Sequence, residues 1–142
     1  MTYFVTLIAY NNSVLEQMNY IKERRIVMDK IIAYCGLNCA ACPAYVATQS
    51  GDPAALERVA AEWRVAFHAP DMTAESIVCD GCLANIGGRL ASYCGMCEIR
   101  ACAIERALPH CAACADYGCS KLEGFLAGAP EARETLEQLR TA

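Results

Sequence analysis

A chain of 142 residues with 56% apolar and 20% charged content has the composition of one globular domain rather than of a disordered segment. Its formal net charge of -4 argues against nucleic acid as a partner, and no apolar run reaches the roughly 18 residues of a membrane span. Cysteine inflates the apolar figure: there are eleven Cys against one Trp and three Phe, so large core side chains are scarce and a small core needs a staple.

Residues 1–27 differ in kind from the rest of the chain. Tyr3 to Tyr10 is an apolar, β-prone run, and Ser13 with Glu16 makes a capping box ahead of Val14, Met18 and Ile21 at helical spacing. No basic residue precedes the apolar run and no small-residue cleavage site comes after it. The stretch therefore does not resemble an export signal, and a cytoplasmic protein with reduced thiols is expected, in which an odd cysteine count poses no difficulty. The one basic cluster, Lys22, Arg24 and Arg25, is broken by Glu23 and reads as a solvated helix face. Met28 then opens MDKIIAYCGLNC, which has the look of a natural start. Residues 1–27 are expected to be an extension, native or not, ahead of a single cysteine-rich domain over 28–142.

Cys35, Cys39 and Cys42 come next with the spacing Cys-x-x-x-Cys-x-x-Cys, and Gly36 permits a positive φ at the turn between them. Pro43 is placed to open a helix with Cys42 at its N-terminus, where the dipole favours thiolate. Ser50-Gly51-Asp52-Pro53 is a turn and cap. Leu56, Val59, Trp63 and Phe67 then recur at helical spacing, which predicts an amphipathic core helix ended by His68. Thr73 caps a single turn up to Val78, and Ile86-Gly87-Gly88 breaks structure. A helix is expected over 97–107, stopped near Pro109. Ser120 and Glu123 form a capping box for the next, which ends at Gly128, and Pro130 opens the last, with Leu136 and Leu139 on its apolar side. No convincing run of strands is present, so the expected class is mainly α.

Between Cys79 and Cys119 lie eight cysteines: Cys79-x-x-Cys82, then Cys94-x-x-Cys97 with Cys102 five residues on, then Cys111-x-x-Cys114 with Cys119 five residues on. CGMCEIRAC and CAACADYGC are one device repeated after 17 residues. A Cys-x-x-Cys turn brings two sulfurs to one side, where a tetrahedral ion about 2.3 Å from each can take both. Eight thiolates fill two closed zinc sites without remainder.

The order YCGLNCAACPAY, an Ala- and Glu-rich helix with a Trp, then CDGC, CGMCEIRAC and CAACADYGCSKLEGF resembles the cysteine-rich family known as domain of unknown function 3795, over about Ile32 to Phe125. The resemblance implies a prokaryotic metal-binding module, zinc being the expected metal, and carries no assigned activity. All eleven cysteines, Cys35, Cys39, Cys42, Cys79, Cys82, Cys94, Cys97, Cys102, Cys111, Cys114 and Cys119, are thus candidate metal ligands for about two to three zinc ions.

The rival chemistries are weaker on spacing. The bacterial iron–sulfur run Cys-x-x-Cys-x-x-Cys-x-x-x-Cys-Pro is absent and the plant-type spacing is unmatched, although an iron–sulfur electron-transfer or redox protein stays the alternative. Disulfides and thiol-redox work come after both. Cys35, Cys39 and Cys42 also resemble the cluster motif of radical S-adenosylmethionine enzymes. Ala41 stands where that motif has an aromatic, however, and the repeated strand–helix units of such a barrel are missing. The three are instead expected to form a third zinc site lacking one ligand, with His110, His68, a carboxylate or a borrowed cysteine such as Cys119 as candidates for the fourth. No nucleophile–base pair or phosphate loop is visible. The expected role is a structural or binding module, whose partner would be another protein rather than nucleic acid or membrane.

Overall fold

Three prolines and one aspartate punctuate the helices. Pro43 opens α1 (Pro43–Ser50), Pro53 opens α2 (Pro53–Ala66), and Pro130 opens α6 (Pro130–Thr141). Each supplies a preset φ where the missing N–H leaves no bond unmade. Asp52 caps α2 by accepting from Ala54 N–H at 2.9 Å, while Gly51 takes the left-handed conformation that ends α1. The remaining helices are α3 (Ser92–Gly95), α4 (Glu98–Glu105) and α5 (Ser120–Leu126). Single 3₁₀ turns occur at Cys39–Ala41, Glu75–Ile77 and Cys111–Ala113.

The computed structural model describes Glu16, Gln17, residues 30–83 and residues 88–142. The expected run at Tyr3–Tyr10 and most of the helix after Ser13 lie outside the described residues, as do Ile86 and Gly87. The chain divides into two units, Met1–Lys30 and Ile31–Ala142, and the second carries every cysteine. Among the described residues the fold is mainly helical, and its β pairing is confined to an isolated antiparallel bridge between Ile32 and Asn38.

Small residues let the helices approach closely. Ala44 on α1 and Ala60 on α2 are fully buried together with Ile77, and Leu56, Val59, Trp63 and Met72 pack around them. A second cluster joins Ile99 of α4, Leu122 and Leu126 of α5, and Ala132 and Leu136 of α6. A third is made of Ala33, Tyr34, Cys82 and Ala103. Ile77, Leu126 and Leu136 are the largest fully buried side chains, and the other deepest positions are alanines. Cysteine sulfurs occupy much of the space that leucines fill in an ordinary core.

Two expectations need correction. The helical period puts Phe67 on the core face of α2, yet it is 63% exposed. α1 has 8 residues and α2 has 14, so the last turns of α2 extend about 9 Å past their partner and the helical period alone does not bury them. The capping box expected at Ser120 is not made. Cys119 is the N-cap, no side chain caps the helix, and Glu123 pairs with both terminal nitrogens of Arg133 on α6. A bidentate guanidinium outcompetes a single backbone N–H for that carboxylate.

Gly36 sets the approach of α6 to the first cysteine loop. Its φ is +96°, and a Cβ there would stand 2.4 Å from Ala132 O and 2.7 Å from Leu136 Cγ. Gly36→Ala is expected to destabilise the domain by roughly 2–4 kcal/mol, combining left-handed strain with a clash against backbone that cannot yield. A denaturant midpoint unchanged from the parent would show that α6 does not seat on this loop.

Candidate metal centre

The loop Ile31–Leu37 holds the cysteine turns together. Ile31 O accepts from Cys39 N–H at 2.7 Å, and Tyr34 O accepts from Cys111 N–H at 2.8 Å. Both Cys-Ala-Ala-Cys turns, Cys39–Cys42 and Cys111–Cys114, are thereby hung from one short loop that turns at Gly36. They are the same structure, each a 3₁₀ turn closed by the last Cys N–H donating to the first Cys carbonyl at 3.0 Å. Asn38 fixes the entry to the first by accepting from Ile31 N–H and Ala40 N–H. Thr48, the buried polar side chain of α1, donates to Ala44 O and accepts from Cys79 N–H at 3.0 Å, which ties the next cysteine pair to the same place.

All eleven cysteines are free thiols. The fold does not keep the early three apart from the later eight. Cys39 lies under the influence of Cys82, Cys79 and Cys42, while Cys94 feels Cys79, Cys82, Cys39 and Cys42. Cys35 feels Cys82, Cys97 and Cys39. Seven sulfurs, those of Cys35, Cys39, Cys42, Cys79, Cys82, Cys94 and Cys97, are thus neighbours drawn from segments far apart in the chain, here called the inner group, and Cys97 also bears on Cys111. The other four, Cys102, Cys111, Cys114 and Cys119, line a cavity of about 30 Å³ together with Ile99, Leu122, Asp116 and Lys121. That volume suits one atom-sized guest. Among the described residues, no three Cys, His, Asp or Glu side chains are already drawn together closely enough to hold one metal ion.

Backbone N–H groups reach the inner sulfurs. Cys82 N–H donates to Cys39 Sγ at 3.4 Å across 43 residues, and Gly81 N–H donates to Cys79 Sγ at 3.4 Å. Leu37 N–H does the same for Cys35 and Tyr34 N–H for Cys82. Gly81, at φ +101°, supplies the turn that aims its amide at the sulfur two residues back. Donors of this kind stabilise thiolate and orient ligands around a metal. The sequence offers one signal for them, the glycine inside CDGC, and none for the amides of Tyr34 and Leu37.

Without a metal Cys35, Cys39, Cys82, Cys94 and Cys111 resist ionisation. Burial pushes the Cys35 and Cys94 thiols up to about 12 and Cys111 up to about 11, with neighbouring sulfurs adding to each shift. Cys39 and Cys82 are raised by burial as well, against the lowering effect of their amide donors. Crowded thiols that cannot share negative charge are poor nucleophiles at neutral pH, and a cation is what would make them thiolates together. The chemistry of the donor set thus fits a thiophilic metal, even though the sulfurs are not at coordination distance.

The histidines are placed differently. His110 precedes Cys111, and its Nδ1 is buried with no hydrogen-bond partner. His68 is exposed just past α2 at φ +51°. No sequence pattern marks Arg106, yet its Nη1 reaches Cys114 Sγ at 3.6 Å and Asp116 Oδ2 at 2.6 Å. Cys42 also borders an apolar hollow walled by Trp63, Phe67, Met72 and Tyr93, where the Trp63 ring meets Phe67 and Tyr93 edge-on. No catalytic base faces Cys42 among these residues.

Free thiols gathered on a frame of short helices define a small cysteine-rich helical domain. The chain belongs to the family described as protein of unknown function (DUF3795), whose family model matches residues 31–124. No curated protein and no solved structure matches the chain. Among the described residues no helix is long and apolar enough to cross a membrane. The match ends before α6, although Ala132 and Leu136 of that helix complete the core around Gly36.

Proposed function

We propose that this protein is a zinc–thiolate module of the cytoplasm in which metal, rather than a large apolar core, maintains the fold. The convergence of Cys39 and Cys42 with Cys79, Cys82 and Cys94 supports this most directly, because free sulfurs gathered from distant segments are the donor set that a thiophilic metal requires. Seven sulfurs are the number that two tetrahedral ions need when they share one, and Cys39 and Cys82 bear on both Cys35 and Cys94. With one more ion among the remaining four cysteines, about three zinc ions per chain are expected. Elemental analysis of anaerobically purified protein is the test. Less than one metal per chain, with the cysteines recovered as disulfides, would overturn the proposal; a brown protein carrying iron and sulfide would replace zinc with clusters.

We further propose that residues 28–142 are sufficient for this function. The family match beginning at residue 31 supports that boundary. Removal of residues 1–27 is expected to leave metal content and helical signal intact, whereas loss of folded protein on truncation would show that the leading segment is needed.

A further inference from the structure

The deepest sulfurs belong to the inner group and the most exposed one to the outer group. Backbone N–H groups donate to Cys39 and Cys79, the Tyr93 side chain bonds to Cys94, the Arg100 charge bears on Cys82, and Cys79 and Cys82 are buried. The outer group is arranged otherwise. Cys119 is exposed, and the donor to Cys114 is the guanidinium of Arg106, itself 48% exposed. Lys121 lines the same cavity. Arg106, paired with Asp116, and Lys121 thus stand beside four sulfurs that would carry about -2 around a divalent ion. The outer four also fall within residues 102–119, on α4, one 3₁₀ turn and the N-cap of α5, whereas the inner seven require segments from Cys35 to Cys97 to be assembled first.

Resting on the zinc–thiolate reading, we infer that Cys102, Cys111, Cys114 and Cys119, which line one cavity with Cys97 bearing on Cys111, form a solvent-facing four-thiolate site whose ion exchanges with anionic donors and acceptors, while the inner ions stay sequestered. Cys102, Cys111, Cys114 and Cys119 would hold the ion, and exchange would need an edge open to the incoming donor. Cys119 provides that edge, and Arg106, paired with Asp116, and Lys121 put positive charge beside it. The exchange moves Zn²⁺ from protein thiolates to the acceptor's donor atoms without change of oxidation state, and protons return to the sulfurs released. Loss of the outer ion leaves the fold standing, because Leu122 and Leu126 seat α5 in the core without it.

The test is chelator challenge of the zinc-loaded full chain with the anionic dye 4-(2-pyridylazo)resorcinol. One ion should leave in a fast phase with circular dichroism unchanged, and the rest should come off slowly with loss of helix. Cys119→Ser should remove the fast ion and keep the slow ones. Arg106→Gln, a surface change, should alter the fast phase alone by about tenfold with the anionic dye and much less with neutral 1,10-phenanthroline. Release of all zinc in one phase, helix loss with the first ion, an unfolded Cys119→Ser chain, or an Arg106→Gln chain indistinguishable from the parent each overturns the inference. A chain that takes up no zinc at all refutes instead the reading on which it rests.

Discussion

Cys39→Ser is expected to release most of the inner metal and to abolish most of the helical signal. Cys39 sits where the two halves of the inner group meet. It takes the Cys82 amide, bears on Cys35, Cys42, Cys79, Cys82 and Cys94, and packs against the buried cluster of Ala33, Tyr34, Cys82 and Ala103. Zinc binding to small thiolate modules contributes on the order of 10 kcal/mol or more to folding, because the unfolded chain has no preformed site. An ordinary domain has a total stability of about 5–15 kcal/mol, so losing an inner site is close to losing the fold. Few large buried side chains remain to compensate. Cys42→Ser should be nearly as damaging, since Cys42 bears on Cys39 and Cys94. Metal content and far-ultraviolet circular dichroism of the variants are the measurements. A Cys39→Ser chain that stays helical with its zinc undiminished would remove the inner group from the account of stability.

Acid is expected to unfold the zinc-loaded chain at a pH where ordinary helical domains survive. In the metal-free chain burial holds Cys35 and Cys94 near 12 and Cys111 near 11, so these ligands are fully protonated at neutral pH and each must release a proton to bind metal. Zinc depresses the pKa of a bound thiol far below its ordinary value. The stability it supplies is therefore present at and above neutral pH and is lost as protons reclaim the sulfurs on acidification. Any metal-free fraction that keeps its helices should behave in the opposite sense. There the folded state holds more protons than the unfolded state once pH passes the ordinary thiol value of 9.0, so stability falls as pH rises toward 11 and 12. Helical signal and free zinc tracked together across pH check both arms. Retention of helix in acid with all zinc released would show that metal is a passenger.

Much of the local structure is legible in the residues. Pro43, Pro53 and Pro130 start helices and Asp52 caps one, because each acts through its own φ or its own side chain within one turn. Gly36 announces its left-handed turn for the same reason, and the helical class comes from spacing and the lack of alternating runs. The exposure of Phe67 cannot be read that way. A period of 3.6 residues says which side chains share a face and says nothing of how far the partner helix extends.

The sequence by itself determined which residues carry the chemistry: eleven cysteines, most in Cys-x-x-Cys pairs, whose turns form within four residues and need no distant contact. Only the tertiary structure decided which sulfurs stand together. Spacing groups Cys35, Cys39 and Cys42 by nearness in the chain, whereas the fold places Cys39 under the amide of Cys82, 43 residues away, and hangs the 111–114 turn from the carbonyl of Tyr34. Sulfur carries no record of its neighbours in its own local geometry. The grouping is set by backbone hydrogen bonds of the Ile31–Leu37 loop and by the seating of α6 on Gly36, contacts between segments that no local pattern encodes.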